Sequence, residues 1–252
     1  MELQPIFLEE DLFPREFVNY ETKEYGLLFY DEANKDSYDS NHAVIFKEKI
    51  TDLDAVLADI TEFYQRKGQN PIIYQSILDE GYFAEHNDIF VKHGFKTWEE
   101  EQRFMVPMED NRLVVNPDIS IRRVTVWEDC FATEIFEKAE EPWEIGVAKR
   151  MIGNPNTIFF IAYYENHPVG MTYAHEWDGV CRYDYILVSK EYRRIGVARA
   201  LMNALVGYCK EKGIKNCSLW PAGESAEKIY AEAGFRTVAV KRAGRAVLES
   251  EE

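Results

Sequence analysis

The stretch from Ile186 to Arg199 constrains this chain more than any other. Ile186-Leu187-Val188 is an apolar run of strand type, and Gly196–Glu211 carries apolar residues at helical spacing. The residues between them must therefore turn a strand into a helix, the mark of a sheet with helices packed on it. The composition of this turn is specialised. Arg193, Arg194 and Arg199 bring three guanidinium groups within seven residues of a chain whose net charge is −16. Gly196 and Ala198 keep bulk away from the backbone. The first N–H groups of a helix have no intrahelical partner and carry the positive end of its dipole. Small residues and arginines there predict a seat for an anion of pyrophosphate type.

The segments around this turn read as alternating strands and helices. From Asp118 onward, Ile119–Val124 is expected to be a strand, Trp127–Glu140 and Glu144–Ile152 helices, and Thr157–Tyr164, Val169–Trp177 and Cys181–Val188 strands. Asp178-Gly179 is a two-residue hairpin signal. A strand at Asn216–Trp220, a helix at Ser225–Ala233 and a closing strand pair within Thr237–Leu248 complete the half. The order mixes hairpins with crossovers. It predicts an α/β (α+β) fold with a mixed, mostly antiparallel twisted sheet and helices on both faces. Ahead of it, Ala43–Phe46, Pro71–Tyr74 and Phe104–Val106 read as strands and Asp52–Gln65 as a helix. Pro107 and Asn116-Pro117 punctuate the chain. The expected organisation is two tandem domains, 1–106 and 118–252, joined by a linker at 107–117. A chain of 252 residues suits two domains of modest size.

Charge separates the halves. Residues 1–115 hold 11 Lys and Arg against 25 Asp and Glu, whereas residues 116–252 hold 18 against 20. That balance argues against a nucleic-acid partner, which needs a basic footprint, and suits a cationic one. No apolar run approaches the roughly 18–20 residues of a membrane span, and the acidic start is unlike a secretory signal. We expect no membrane partner and a cytoplasmic location. Cys130, Cys181, Cys209 and Cys217 form no C-x-x-C pair and lie near no histidine at zinc spacing. They read as reduced, mostly buried thiols, with no metal.

The run V-x-x-E-Y-R-x-x-G-x-A at Val188–Ala198 resembles the acetyl-CoA motif of the GNAT superfamily of N-acetyltransferases. Downstream, A-E-K-I-Y-A-E-A-G-F at Ala226–Phe235 resembles that superfamily's other hallmark, a helix ending in L-Y-x-x-x-G-F. The resemblance covers residues 118–240. It implies acetyl-CoA as co-substrate and an amine as acceptor. Leu187 and Val188 would offer backbone groups to the acyl and pantetheine portions. Arg193, Arg194, Ile195, Gly196, Val197 and Ala198 would line the pyrophosphate turn, with Arg199 adding charge. Tyr230 would protonate the departing thiolate. Seven residues before that tyrosine many relatives carry an asparagine that bonds the pantetheine arm. Gly223 stands here instead, so that the contact is either lost or made by Ser225.

The reaction also needs a route for the ammonium proton. A strand period of two places Arg182, Asp184, Ile186 and Val188 on one face, which makes Asp184 the candidate carboxylate. Pairing of Asp184 with Arg182 or Arg194 is the alternative reading. His175, Glu176 and water are competitors for the role. The expected activity is acetyl transfer to a primary amine by direct attack in a ternary complex, on a small-molecule or peptide acceptor of cationic type. The alternative is a non-catalytic acyl-CoA-binding or sensing protein.

Ile89–Phe95 parallels Ile229–Phe235, at the offset expected of a repeated domain. Phe90 replaces the tyrosine, and Gln65–Asn70, the nearest match to the anion turn, falls at the end of a helix rather than its start. The first half is read as a degenerate GNAT-like copy. It would cover the acceptor cleft or form a homodimer interface.

Overall fold

The computed structural model describes residues 2–35 and 37–249. They form two compact units, Arg103–Ala239, and Glu2–Gln102 together with Val240 onward. Two features accompany this division. The residues from Val240 onward do not stay with the second half. The stretch expected to be a strand pair is one strand, β11 (Phe235–Leu248). Its far end pairs antiparallel with β4 (Ile72–Gln75), Arg245 facing Tyr74 and Val247 facing Ile72. The stretch 105–112 is held to the rest of its unit by backbone bonds. Met105 bridges Leu219, Met108 and Glu109 donate to the Gly234 carbonyl, and Arg112 N–H donates to that of Glu232. Local periodicity cannot show either feature, because both depend on partners more than a hundred residues away.

The unit Arg103–Ala239 is built on a five-stranded sheet in the order β10-β9-β8-β7-β6. Its strands are β6 (Ile119–Val124), β7 (Thr157–Tyr164), β8 (His167–Trp177), β9 (Val180–Val188) and β10 (Cys217–Ser218). All neighbours are antiparallel except β9 and β10. Asp178 and Gly179 both take positive φ, 45° and 78°, as a two-residue turn of primed type requires.

Helix α6 (Val197–Lys212) packs over β6 to β9. Its buried stripe, Val197, Ala200, Leu201, Leu205 and Cys209, repeats at helical spacing. It shares one core with Ile158, Phe160, Ala162, Ala174 and Phe235. Phe159 and Ile161, at the intervening positions of β7, point to the opposite face. That face is covered by α5 (Glu144–Gly153) and by a helical segment whose centre, Ala132–Glu137, winds as a π-helix. The result is the expected mixed, mostly antiparallel sheet with helices on both faces.

The other unit has a six-stranded sheet in the order β1-β2-β3-β4-β11-β5. The hairpin β1 (Asn19–Lys23) and β2 (Gly26–Tyr30) and helix α1 (Gln4–Leu12) were not anticipated. The strand, helix and strand that follow are the expected ones. β3 (Ala43–Ile45) runs through a 3₁₀ turn at Lys47–Lys49 into α2 (Leu53–Arg66) and returns as β4, parallel to β3. Two short helices, α3 (Tyr82–Glu85) and α4 (Asn87–Lys92), then lead to the long strand β5 (Phe95–Pro107). The same strand, 3₁₀ turn, helix and parallel strand recur as β9, Lys190–Tyr192, α6 and β10. The internal echo thus extends from a short motif to a whole crossover.

Candidate active site

The anion turn is formed as an uncapped helix start. After Val188 a 3₁₀ turn at Lys190–Tyr192 carries the chain to Arg193, and α6 begins at Val197. Arg194 (φ 73°) and Gly196 (φ 101°) both take left-handed conformations, which curl the backbone around residues 193–196. Gly196 is the helix N-cap, so no side chain caps α6, and the first intrahelical bond runs from Ala200 N–H to the Gly196 carbonyl. The N–H groups of Val197, Ala198 and Arg199 therefore have no carbonyl one turn earlier in the helix. The Arg193 and Arg194 side chains are exposed beside them, with Arg193 Nε donating to the Val188 carbonyl at 3.2 Å. Arg199 is placed differently from the mobile cation expected. Its guanidinium makes paired bonds of 2.8–3.1 Å to both carboxylate oxygens of Glu232 on α7 (Glu224–Glu232). It ties two helices together at the rim of the turn.

Leu187 and Val188 lie at the end of β9, past its pairing with β10. That ladder consists of Cys181 with Cys217 and Arg182 with Ser218, after which β10 ends. The next residue, Leu219, bridges Met105 instead. Two parallel strands that stop pairing while one continues open a wedge along β9. Gly170 on β8 makes this arrangement possible. A Cβ there would lie 2.7 Å from the Leu187 carbonyl oxygen and 2.9 Å from Val197 Cγ1, so only glycine lets α6 and the end of β9 come this close.

Tyr230 projects from α7, half-buried against the core beneath α6. Burial pushes its phenol pKa above the usual value, so it holds its proton. Gly234, with φ 94°, ends that helix, and a Cβ on it would fall onto the Glu109 carbonyl oxygen. Gly234 is therefore needed for the close approach of the chain at Glu109 and Asp110. Ser225 is exposed in the first turn of α7. Gly223 is its extended N-cap, and a Cβ there would meet nothing within 4 Å.

The single-face reading of β9 is corrected by a bulge. Tyr173 pairs with Tyr185 and Ala174 with Tyr183, which leaves Asp184 as the extra residue. Ile186 and Val188, opposite Thr172 and Gly170, share the α6 face with Gly170. Asp184 and Arg182 instead turn toward Tyr173 on the other face, where the Tyr173 hydroxyl donates to one Asp184 oxygen and Arg182 pairs with the other. His175 is fully buried and shares a hydrogen bond of 3.3 Å with Thr157 Oγ1, while Glu176 is exposed at the strand end. The face carrying Asp184 is the one covered by the π-helical segment, and Ser189 Oγ holds that segment through the Glu134 carbonyl at 2.6 Å.

Two supporting residues escaped the sequence reading. Asn116 Nδ2 donates to the Ile195 carbonyl at 3.0 Å and thereby buttresses the anion turn. Glu232 anchors Arg199. Neither was singled out as a site residue, although Asn116 is part of the linker's punctuation and Glu232 lies inside the second signature.

At the equivalent point of the other unit, Asp52 caps α2 with its carboxylate, accepting from Ala55 N–H at 3.1 Å. An acidic cap occupies the donors that an anion would use and places a negative charge in front of them. Phe90 is fully buried on α4.

Residues 124–235 match the family model described as the acetyltransferase (GNAT) family. No curated protein sequence matches the chain. Among solved structures, a GCN5-related N-acetyltransferase from Kribbella flavida aligns with a TM-score of 0.64 at 14% identity, covering 98% of this chain and 95% of that one. A second, from Sphaerobacter thermophilus, aligns with a TM-score of 0.58 at 14% identity, covering 94% and 85%. A tandem GNAT protein from the clavulanic acid biosynthesis pathway aligns at 0.55 and 11% identity, covering 79% and 70%. At these identities the likeness is one of fold.

Proposed function

We propose, from the premise that residues 124–235 form a GNAT domain, that this protein transfers an acetyl group from acetyl-CoA to a cationic primary amine. The observation that carries the reading is the uncapped, glycine-started helix α6 with exposed Arg193 and Arg194 in front of it. In this reading Leu187 and Val188 hold the pantetheine arm along the open part of β9, and the turn at 193–198 takes the pyrophosphate. The amine attacks the thioester carbonyl directly in a ternary complex, and Tyr230 gives its proton to the departing thiolate. The acetyl–sulfur bond breaks as the acetyl–nitrogen bond forms, and the ammonium proton leaves toward Asp184 or water.

A cationic acceptor follows from the cover of the Asp184 face. Between residues 128 and 144 the chain carries Glu128, Asp129, Glu134, Glu137, Glu140, Glu141 and Glu144 against one Lys138. Among the described residues no helix is long and apolar enough to cross a membrane, and the acceptor is taken as a soluble small molecule or peptide.

The test is thiol release from acetyl-CoA across a panel of amines, with binding stoichiometry measured by calorimetry. One acetyl-CoA per chain is expected, because Asp52 occupies the equivalent helix start in the other unit. Two would end the idea of a silent copy. Binding without thiol release for any amine would leave the binding-only reading, to which Gly223 lends support. For the preferred amine, kcat/KM should fall with added salt.

A further inference from the structure

Three of the four cysteines are gathered in one place. Cys181 on β9, Cys209 near the end of α6 and Cys217 on β10 are all buried, and their sulfurs lie within 4.8 Å of one another. Cys181 and Cys217 are direct partners in the parallel ladder, and Cys209 approaches them from the helix. All three are free thiols, whereas Cys130 is exposed and apart. Sequence spacing hides this trio, since its members are separated by 28 and 8 positions on three different elements.

We propose that Cys181, Cys209 and Cys217 form a three-sulfur seat for a monovalent soft cation of the copper(I) class. Three sulfurs about 2.3 Å from a central ion stand roughly 4 Å apart in a plane. The observed spacing therefore needs only a sub-ångström contraction. Thiolate sulfur selects soft cations. Zinc is disfavoured, because it takes four ligands, and the cluster offers three metal-ligating side chains within a core of Phe235, Leu205 and Leu219. Each sulfur that binds as thiolate releases one proton to solvent, and no electron is transferred.

Entry is through the short connection 213–216, where Gly213, Lys215 and Asn216 are exposed between the end of α6 and Cys217. Local opening at a helix end requires far less than global unfolding. A loaded site would cross-link α6 to both strands at the closed end of the β9–β10 wedge.

The experiment is anaerobic titration of the full chain with copper(I) against a chromophoric copper(I) chelator, with thiolate-to-metal absorbance followed in the ultraviolet. One equivalent per chain should be retained, with a raised Tm. Cys209→Ala should weaken retention at least 100-fold, and Cys130→Ala should leave it unchanged. Equal retention by wild type and Cys209→Ala, or loss with Cys130→Ala, would overturn the proposal. A second readout needs no variant. Alkylation of the loaded native protein, counted by mass, should modify Cys130 and spare the trio even when the 213–216 connection is opened by mild denaturant. Modification of all four at the rate of the metal-free protein would also overturn it.

Discussion

Replacing Gly196 tests the anion seat, provided that backbone strain and charge are separated. Gly196 has φ 101°, so any L-residue there is strained, at about 1–3 kcal/mol. Space is not the obstacle, since a Cβ would meet Asn116 Cβ at 3.5 Å, an ordinary contact. Gly196→Ala therefore carries the strain alone, and Gly196→Asp carries the same strain plus a negative charge. A carboxylate about 5 Å from a bound anion, at an effective dielectric of about 20, costs about 3 kcal/mol. Exposure of the turn reduces this to about 2–3 kcal/mol, or about 30- to 150-fold in Kd. Calorimetry with acetyl-CoA on both variants should show that additional loss for Asp over Ala, shrinking at high salt. Equal affinities for the two variants, both folded by circular dichroism, would refute the assignment of residues 193–198 to a phosphate.

Tyr230→Phe keeps the ring and removes the proton donor. With chemistry rate-limiting, kcat should fall about 100-fold at nearly constant KM for acetyl-CoA, and an unchanged kcat would reassign Tyr230 to packing. Gly223→Asn adds an amide at a position where a side chain meets nothing within 4 Å. One added hydrogen bond of about 1 kcal/mol should tighten acetyl-CoA binding several-fold, and no change by calorimetry would place the pantetheine arm elsewhere. Asp11 on α1 accepts from Ser76 Oγ at 2.6 Å and Ile77 N–H at 3.0 Å, and burial pushes its carboxyl up to about 7. A raised acid stabilises the fold fully below its unfolded value near 4, and the contribution is lost as pH rises through 7. Urea unfolding should therefore show about 2 kcal/mol lost between pH 5.5 and 8 in the wild type. Asp11→Asn should flatten that slope, and an unaltered slope would show that Asp11 does not titrate in this window.

What was legible in the sequence was local. The strand-to-helix turn at 186–199, the Asp178-Gly179 hairpin and the helix ending at Gly234-Phe235 each follow from periodicity or turn chemistry within a dozen residues. What was not legible depended on tertiary partners. The bulge at Asp184 shifts the register by one residue and moves that carboxylate to the face opposite Ile186 and Val188. Asn116, Glu232 and the cysteine trio become visible only when the crossover closes. The far end of β11 reads as an ordinary strand in sequence, and nothing local says which sheet it completes.

The two units show how little the crossover alone decides. β3, α2 and β4 repeat the arrangement of β9, α6 and β10, including the 3₁₀ turn and the parallel return. The difference lies in one position. Where α6 begins with a left-handed glycine and leaves its first N–H groups open, α2 begins with Asp52, whose carboxylate already bonds Ala55 N–H. An aspartate cap is more stable than a glycine one by only a few tenths of a kcal/mol, so the glycine start of α6 is a small local cost that a ligand can offset. Side-chain capping thus stabilises the start of α2, and in the proposed function its omission from α6 leaves the anion seat open. The same contrast at the second signature, buried Phe90 against the phenol of Tyr230, removes a proton donor from one unit and retains it in the other. In the proposed function the chemistry is set at a few helix-terminal positions, and the remainder of each unit serves to hold them.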